Sequence, residues 1–308
     1  MFYLNLNDIN EHCRRDPAEF VGESEQNYTN MIENIADGIC ERCVGNQRMI
    51  LLLNGPSSSG KTTTARRIRD AINQRGICSH SISMDDYYLT RGSYEMPRDE
   101  NGDIDLESPL CMDLPMLSEH LAALCEGEII EVPKYDFITR KRTIETEEVQ
   151  LEKGEIAIIE GIHSLNSVIT GKIQQHAIGV YMAVGTEVVI ANEWRLAPHV
   201  LRFVRRAIRD KHFRDEPTSQ TIAMWHSVRR GERLYIRPYI SSATHIVNTY
   251  LSYEDCVLMQ QLREDVKPYH KEMIEAGLEP LVRALDCFEP LTDLSLIPPH
   301  SIMHEFLG

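Results

Sequence analysis

The sequence predicts an α/β fold in which a five-stranded parallel sheet is flanked by helices. From residue 49 onward, short apolar segments typical of buried strands alternate with segments of helical periodicity, which is the pattern of strand–helix–strand units. The composition supports a folded core, because 42% of the 308 residues are hydrophobic and 26% are charged. A loop rich in glycine and serine follows the first of these strands and leads directly into a helix.

Each element is predicted from its pattern, taken along the chain. Apolar residues at helical spacing, beginning at Ile32, indicate a helix near 28–43. Apolar runs predict parallel strands at 49–54, 79–84, 156–160, 178–184 and 245–249. Helices are predicted near 61–75, 113–126, 199–212, 218–230 and 254–276. Two segments, Glu128–Val132 and Thr143–Gln150, are predicted to form a small antiparallel element. We expect an N-terminal helical extension (1–45), a central domain (46–252), and a C-terminal helix and tail (253–308) that pack on the central domain.

The loop at residues 55–62 reads Gly-Pro-Ser-Ser-Ser-Gly-Lys-Thr, which fits the phosphate-binding loop of nucleoside triphosphatases, G-x-x-x-x-G-K-[ST]. Glycines let the backbone form a concavity whose amides face a phosphate group, while the following helix directs its positive end to the same place. The sequence therefore predicts a P-loop NTPase fold that uses ATP and Mg²⁺. The predicted nucleotide-binding residues of the loop are Gly55, Ser57, Ser58, Ser59, Gly60, Lys61, Thr62 and Thr63.

Carboxylates follow two of the predicted strands. Asp85 comes after the strand at 79–84, and Glu160 ends the strand at 156–160. Because ligands bind beyond the carboxyl ends of parallel strands, both should lie near the phosphate loop. Phosphoryl transfer to a hydroxyl needs a carboxylate that accepts the proton, and Asp85 is our candidate. Glu160 is better placed for Mg²⁺, whereas capping of a turn is the favoured explanation for Asp86.

Composition also excludes several classes of protein. The formal net charge of −15 argues against general nucleic-acid binding, which depends on Lys and Arg. Residues 195–237 nevertheless hold eleven basic and four acidic side chains, a local +7, which suggests that a small polyanion binds there. No apolar segment reaches the length of a membrane span, so we expect a cytoplasmic protein. The eight cysteines lack the spacing of a disulfide framework, and we predict no structural metal.

The segment Val132–Arg142 places aromatic residues at alternating positions before a group of basic residues. Tyr135 and Phe137 could stack on a flat base. They could equally belong to an edge strand that packs one aromatic face into the core, and the composition alone leaves both explanations open.

These motifs together resemble the uridine kinase and phosphoribulokinase family of P-loop kinases, and within it the uridine kinase-like bacterial nucleoside kinases. The resemblance covers about residues 48–250 and rests on several motifs in family order. They are the phosphate loop with its flanks at 54–63, Ile82–Tyr88, Asp105–Pro109, Val132–Phe137, Ile159–His163 and Arg202–Asp210.

The resemblance implies roles for individual residues. Asp85 and Lys61 would be catalytic, with Arg205 and Arg209 on an arginine-rich lid that closes over the triphosphate. Arg202 and Arg206 of the same lid would contact the nucleotide. The metal would lie among Thr62, Glu160 and Asp85. The acceptor would be bound by Tyr88, Glu107, Tyr135, Phe137 and Arg140.

Two departures from the family pattern concern the acceptor. Arg140 stands where uridine kinases have a histidine that reads the pyrimidine, and Pro198–Leu201 replaces a Thr-Asp-Thr run that leads into the lid. We therefore expect an ATP-dependent kinase for a hydroxyl of a nucleoside, with uridine or cytidine as first candidates. Alternatives are a sugar-phosphate kinase in which Arg140 and Arg142 hold the acceptor's phosphate, and a non-catalytic ATP-binding regulatory module.

The expected partner is therefore a small-molecule acceptor, with neither a nucleic acid nor a membrane involved. The sequence leaves open whether the chain forms a homo-oligomer.

Overall fold

The computed structural model describes residues 2–43, 47–191 and 194–307 of the chain. The strands are β1 (Phe2–Asn5), β2 (Met49–Asn54), β3 (Ser79–Ser83), β4 (Ile130–Asp136), β5 (Lys141–Val149), β6 (Ile156–Glu160), β7 (Ala177–Ala183), β8 (Thr186–Ala191), β9 (Trp194–Leu196) and β10 (His245–Asn248). The helices are α1 (Leu6–Arg15), α2 (Pro17–Arg42), α3 (Lys61–Gln74), α4 (Leu114–Glu126), α5 (Ser167–Thr170), α6 (Pro198–Arg214), α7 (Thr218–Gly231), α8 (Glu254–Val266), α9 (His270–Glu275), α10 (Glu279–Ala284) and α11 (His304–Leu307).

A five-stranded parallel sheet forms the centre, with strand order β10-β7-β2-β6-β3. All five predicted strands are confirmed, with ends that differ from the prediction by at most one residue. The central strand β2 is buried along its whole length, which agrees with its unbroken apolar sequence.

Apolar residues that alternate along the strands supply two separate cores. On one face, Leu51 and Leu53 of β2 pack with residues of α2, α3, α6 and α8. On the other face, Ile50 and Leu52 pack with α4 and with residues of the β4–β5 hairpin. The sheet is therefore covered on both sides, as parallel sheets are.

The register of the strands determines what meets at the carboxyl edge of the sheet. Glu160, the last residue of β6, pairs with Leu53 of β2 on one side and with Ser83 of β3 on the other. The phosphate loop begins two residues after Leu53, and Asp85 lies two residues after Ser83. Both are thereby placed beside Glu160.

A hairpin and a second small sheet complete the strands. The predicted antiparallel element is confirmed as the pair β4–β5, which is longer than predicted and has a register shift between Pro133 and Tyr135. The second sheet, with order β1-β8-β9, was not predicted. Its strand β1 comes from the start of the chain and pairs in parallel with β8, about 180 residues later.

Two predicted helices have different bounds in the structure. The helix predicted near 28–43 begins at Pro17, where the Asp16 side chain caps it by accepting a hydrogen bond from the Glu19 amide. The helix predicted at 254–276 is divided into α8 and α9 by a 3-10 turn at Lys267–Tyr269. Pro268 lies in that turn, and because proline lacks an amide hydrogen it interrupts the helical ladder.

The arginine-rich helix α6 belongs to the core. Its residues Leu201, Phe203, Val204 and Ala207 are fully buried, and the Phe203 ring lies edge-on to Trp225 of α7. An arginine-rich lid is therefore not confirmed. The boundaries proposed at residues 45 and 252 remain a prediction. Within the described ranges, no helix combines the length and the hydrophobicity required to cross a bilayer.

Candidate active site

The phosphate loop has the backbone geometry that its glycines permit. Gly60 has φ +82°, a left-handed conformation that suits glycine, and it forms the N-cap of α3 without a side-chain cap. At Gly55 the limit is space, because a Cβ atom there would lie 2.1 Å from the carbonyl oxygen of Met182. Neither position can accept a side chain without a shift of its surroundings.

The loop is rich in groups that lack partners. The hydroxyls of Ser58 and Ser59 are buried and make no hydrogen bond with the described residues. The first amides of α3 have no partner within the helix, as at every helix start. Such a combination of free donors and a helix N-terminus binds anions.

Lys61 lies at the centre of the candidate site. Its ammonium donates a hydrogen bond of 3.2 Å to the carbonyl oxygen of Pro56. Burial lowers the pKa of Lys61, while the carboxylates of Glu160 and Asp85 act in the opposite direction. The structure thus brings together the three side chains that were predicted to converge.

The two carboxylates have elevated pKa values. For both Asp85 and Glu160, surrounding protein disfavours the charged form and raises the pKa, against the attraction of Lys61. Oxygen Oε2 of Glu160 is buried and has no hydrogen-bond partner in the described part of the chain. With the exposed hydroxyl of Thr62 nearby, this all-oxygen set fits the preferences of Mg²⁺.

Three predicted acceptor-binding aromatics form one cluster. The ring of Tyr135 lies 5.1 Å from that of Phe137 and 5.7 Å from that of Tyr88, measured between centroids. Tyr88 directly follows the 3-10 turn Met84–Tyr87, which carries Asp85. The cluster is therefore adjacent in sequence to the candidate proton acceptor. Asp86 of the same turn accepts a hydrogen bond from the Tyr135 amide, so its contact is with strand β4, whereas capping of its own turn was predicted.

Glu107 is held in place by residues that sequence reasoning missed. The buried carboxylate of Asp105, 2% exposed, accepts hydrogen bonds from Arg230 at 2.8 Å and from the Tyr235 hydroxyl at 2.7 Å. Its other oxygen accepts one from the Glu107 amide. Gly231 packs directly on Glu107. A Cβ atom added at Gly231 would lie 2.3 Å from Cβ of Glu107. Asp105 lies in a motif noted in the sequence, whereas Arg230 and Tyr235 were covered only by the basic segment 195–237.

The predicted catalytic role of Arg205 is corrected by the structure. Its side chain is fully buried, and its guanidinium donates to both carboxylate oxygens of Glu254 and to Thr249. With its donors directed to protein acceptors and no exposed surface, Arg205 supports the fold instead of contacting a phosphate.

Arg202 has a similar environment. It is 3% exposed, pairs with Glu232 and lies over the ring of Trp225. Its predicted contact with the nucleotide is therefore not supported by the geometry, although its positive charge still acts on Glu107.

Arg206 and Arg209 remain candidates for binding the donor. Nη1 of Arg206 donates a hydrogen bond of 3.0 Å to the hydroxyl of Ser57 in the phosphate loop. Arg209 is close enough to Lys61 to oppose its protonation. The fully buried carboxylate of Asp210 pairs with both arginines, and Arg214 lies 3.5 Å from it.

The two arginines of the hairpin have different surroundings. Arg140, with φ +57°, lies exposed between β4 and β5. Arg142 donates to the carbonyl oxygens of Tyr87 and Tyr88 and to the carboxylate of Asp113. Arg142 therefore shapes the turn next to Asp85 and is not available to bind an acceptor's phosphate.

One group of metal-type ligands lies outside the site. Ligand atoms of Cys78, His80 and Glu155 fall within 4.8 Å of one another at the edge strand β3. All three residues are accessible to solvent, and an ordinary hydrogen bond of 3.1 Å joins His80 to Glu155. The arrangement is accounted for without an ion.

With the geometry established, comparisons with known proteins identify the family. A family model described as the phosphoribulokinase / uridine kinase family matches residues 50–254, which is more than half of the chain. The chain belongs to this family. The match begins in β2 and ends at the start of α8, so it includes every residue discussed above as a site candidate.

Individual relatives agree with the family assignment. A uridine kinase of Borrelia turicatae (strain 91E135) is 30% identical over 190 residues, which cover 61% of this chain and 81% of that protein. A uridine kinase of Deinococcus deserti is 32% identical over 111 residues, covering 36% of this chain and 51% of that protein. The kinase character of the family and its nucleotide-binding loop are thereby shown for this chain.

A solved structure shares the fold. A protein from Silicibacter sp. TM1040, assigned provisionally as a fructose transport system kinase, superposes with a TM-score of 0.52. The superposition covers 70% of this chain and 98% of that one at 18% identity, which establishes the common fold alone. Membership of the family thus fixes the P-loop kinase architecture and leaves the acceptor to be inferred.

Proposed function

We propose that this protein is an ATP-dependent kinase that transfers the γ-phosphoryl group to a hydroxyl of a nucleoside. The observation that carries the proposal is the placement of Asp85. Its carboxylate is close enough to Lys61 of the phosphate loop and to Tyr88, the first residue of the aromatic cluster, to affect the protonation of both. A proton acceptor between a phosphate site and a flat-ligand site is the arrangement that this transfer requires.

On the donor side, the loop amides and the ammonium of Lys61 would hold the phosphate groups of ATP. Arg206 and Arg209 would add positive charge where negative charge develops on the transferred group. Thr62 and Glu160 would hold Mg²⁺, which when bound neutralises charge on the outer phosphates. Oxygen Oε2 of Glu160, which has no hydrogen-bond partner within the described ranges, supports this assignment.

On the acceptor side, Asp85 would orient the attacking hydroxyl and take its proton as the new phosphate ester forms. Glu107, fixed by Asp105 and Gly231, offers a carboxylate for sugar hydroxyls. Tyr88, Tyr135 and Phe137 would pack on a planar base, and Arg140 at the tip of the hairpin is near enough to Tyr135 to affect its titration.

The test is ADP release with Mg·ATP against a panel of acceptors. The panel contains uridine, cytidine, purine nucleosides, ribulose 5-phosphate and simple sugars. We expect one nucleoside to stimulate turnover, and we expect Asp85→Asn to lose about 10²-fold or more of that turnover, the scale of a positioned proton acceptor. Asp86→Asn is the matched control, because it changes the neighbouring carboxylate and should lose far less.

Other outcomes decide among the alternatives. Stimulation by ribulose 5-phosphate alone would replace the nucleoside assignment with a sugar-phosphate kinase. ATP binding without any acceptor-dependent ADP release would favour a regulatory module. Equal losses in Asp85→Asn and Asp86→Asn would remove the role assigned to Asp85.

A further inference from the structure

A carboxylate from outside the family-matched region lies at the phosphate loop. We call residues 298–307 the tail segment; it ends with α11. Oxygen Oε2 of Glu305 accepts a hydrogen bond of 3.2 Å from the backbone amide of Thr63, in the first turn of α3. The contact joins positions 242 residues apart and therefore depends on how the tail segment folds back.

A second contact places the tail segment on the loop itself. Ile302 lies against Gly60. A Cβ atom added at Gly60 would be only 2.0 Å from Cδ1 of Ile302. The segment is well anchored: Ile302, Met303 and Phe306 are fully buried, and the guanidinium of Arg205 lies 5.0 Å from the centroid of the Phe306 ring. Three apolar side chains of the tail segment are thus part of the core.

Further polar contacts hold the start of the segment. The Ser301 hydroxyl bonds with the carboxylate of Glu25, which also accepts from the hydroxyl of Tyr253. All three residues are buried. Glu305, in contrast, is half-buried, so its side chain is the part of this surface that can move while the backbone stays in place.

The Thr63 amide is one of the donors at the start of α3 that have no partner within the helix, and anions bind at this position of a helix. A carboxylate is favoured at this position by the helix dipole, as a phosphate is. The negative charge of Glu305 also reaches Lys61 and Glu160, since it affects the protonation of both. The loop thus already carries an anion supplied by the protein, while the hydroxyls of Ser58 and Ser59 have no partner among the residues that the structure describes.

We infer that Glu305 sets the affinity of the donor site by acting as an internal anion, which a phosphate group of ATP displaces from the Thr63 amide. This inference rests on the proposed ATP-dependent function. Because bound carboxylate and bound phosphate exclude each other at one amide, the apparent affinity for ATP is lower than the intrinsic affinity of the empty loop. No movement of the tail backbone is required.

The experiment measures binding of Mg·ATP by calorimetry to the wild-type chain, Glu305→Ala and Glu305→Gln, in the absence of acceptor. Glu305→Ala should bind ATP about tenfold more tightly, since a hydrogen bond to a charged group no longer competes. Glu305→Gln keeps an oxygen acceptor without the charge and should fall between the two. Glu275→Gln is the matched control, because Glu275 pairs with Lys271 of its own helix and should leave ATP affinity unchanged.

A second readout separates competition from a structural role. Without ligand, Glu305→Ala should melt at a lower temperature than wild type, whereas the rise in melting temperature on adding a fixed concentration of ATP should be larger. A purely structural contact would lower the first quantity without increasing the second. Such a result, or unchanged or weaker ATP binding by Glu305→Ala, would overturn the inference.

The outcomes also distinguish this inference from the proposed function. If wild type binds ATP and phosphorylates an acceptor while Glu305→Ala binds ATP equally well, the inferred role of Glu305 is wrong and the proposed function stands. If neither protein binds ATP, the proposed function and the inference are both wrong, because Glu305 then has no ATP to compete with.

Discussion

Arg206 of α6 and Ser57 of the phosphate loop are joined by a hydrogen bond of 3.0 Å across 149 positions of the sequence. The same guanidinium lies 3.1 Å from Asp210, a fully buried carboxylate that also pairs with Arg209 and Arg214. One carboxylate therefore orients the basic groups nearest to the loop. We therefore expect Asp210 to act on a bound nucleotide through the arginines and not by direct contact.

We predict that Asp210→Asn raises the KM for ATP about tenfold, since Arg209 loses a charged hydrogen-bond partner and Arg206 loses its neighbouring counter-charge. The variant should also lose about 3 kcal/mol of stability, because it leaves buried arginines without their counter-charge. Steady-state kinetics and urea unfolding measure the two effects. Asp265→Asn, which breaks an exposed pair with Lys211, is the control. An unchanged KM for ATP would show that Asp210 does not position these arginines.

The buried group around Asp105 leads to a prediction on the acceptor side. Arg230→Met removes the 2.8 Å hydrogen bond to Asp105 and should release the loop that carries Glu107. We expect the KM for the acceptor to rise about tenfold, as for loss of a charged hydrogen bond, while the KM for ATP stays within a factor of two. The exposed Arg233→Met should change neither constant. Equal effects on both substrates would indicate general unfolding instead.

Two glycines with almost the same backbone allow a matched comparison. Gly60 and Gly76 have φ values of +82° and +84°. A Cβ atom added at Gly60 would clash with Ile302, whereas one added at Gly76 would have no described atom within 4 Å. Gly76→Ala should cost about 1–2 kcal/mol of stability through backbone strain alone. Gly60→Ala should cost clearly more and should abolish ATP binding. Urea unfolding measures the loss of stability, and calorimetry measures ATP binding. Equal losses of stability in the two variants would show that Ile302 of the tail segment can move aside for the added methyl group.

The pKa of Asp85 predicts how activity depends on pH. Surrounding protein raises this pKa above the 3.8 of an ordinary aspartate, and a proton acceptor works only when ionised. Acceptor-dependent kcat/KM should therefore fall as the pH drops through the raised value. The midpoint of this decrease, the acid limb of the pH profile, should lie above pH 3.8. The residual activity of Asp85→Asn should show no such decrease. An acid limb that persists unchanged in this variant would assign it to another group.

Stability should depend on pH through His163. Burial lowers the pKa of this histidine to about 4 in the folded chain, compared with the ordinary value of 6.5. The unfolded chain therefore binds more protons between these values, so the free energy of unfolding decreases as the pH falls from 6.5 towards 4. Urea unfolding at pH 7 and pH 5 should show a smaller decrease for His163→Gln. The same decrease in both proteins would exclude His163 as its source.

Local patterns in the sequence were sufficient for much of the fold. The three inner strands of the sheet, β2, β6 and β7, were predicted correctly because buried parallel strands are continuous apolar runs, and β2 is one from Met49 to Leu53. The phosphate loop is a motif whose spacing follows from its geometry. The convergence of Asp85 and Glu160 on Lys61 followed from the common polarity of parallel strands.

Contacts between distant segments could not be predicted in this way. The burial of Arg205 against Glu254 and the pairing of Arg230 with Asp105 over 125 positions leave no periodic trace in the sequence. Strand β1 is only four residues long, and its partner β8 is known only from the fold. The contact of Glu305 with Thr63 likewise joins the loop to a segment that resembles no motif.

The pairing of β1 with β8 and of Glu25 with Ser301 has a consequence for synthesis on the ribosome. Residues 2–5 emerge about 180 residues before their partner strand, and Glu25 emerges 276 residues before Ser301. Until the C-terminal part of the chain has been synthesised, the apolar face of α2 is not fully covered, and the Glu25 carboxylate lacks its partners Tyr253 and Ser301. Folding of such non-local contacts is slow and leaves hydrophobic surface open. The nascent chain should therefore need protection by chaperones longer than its central sheet alone would.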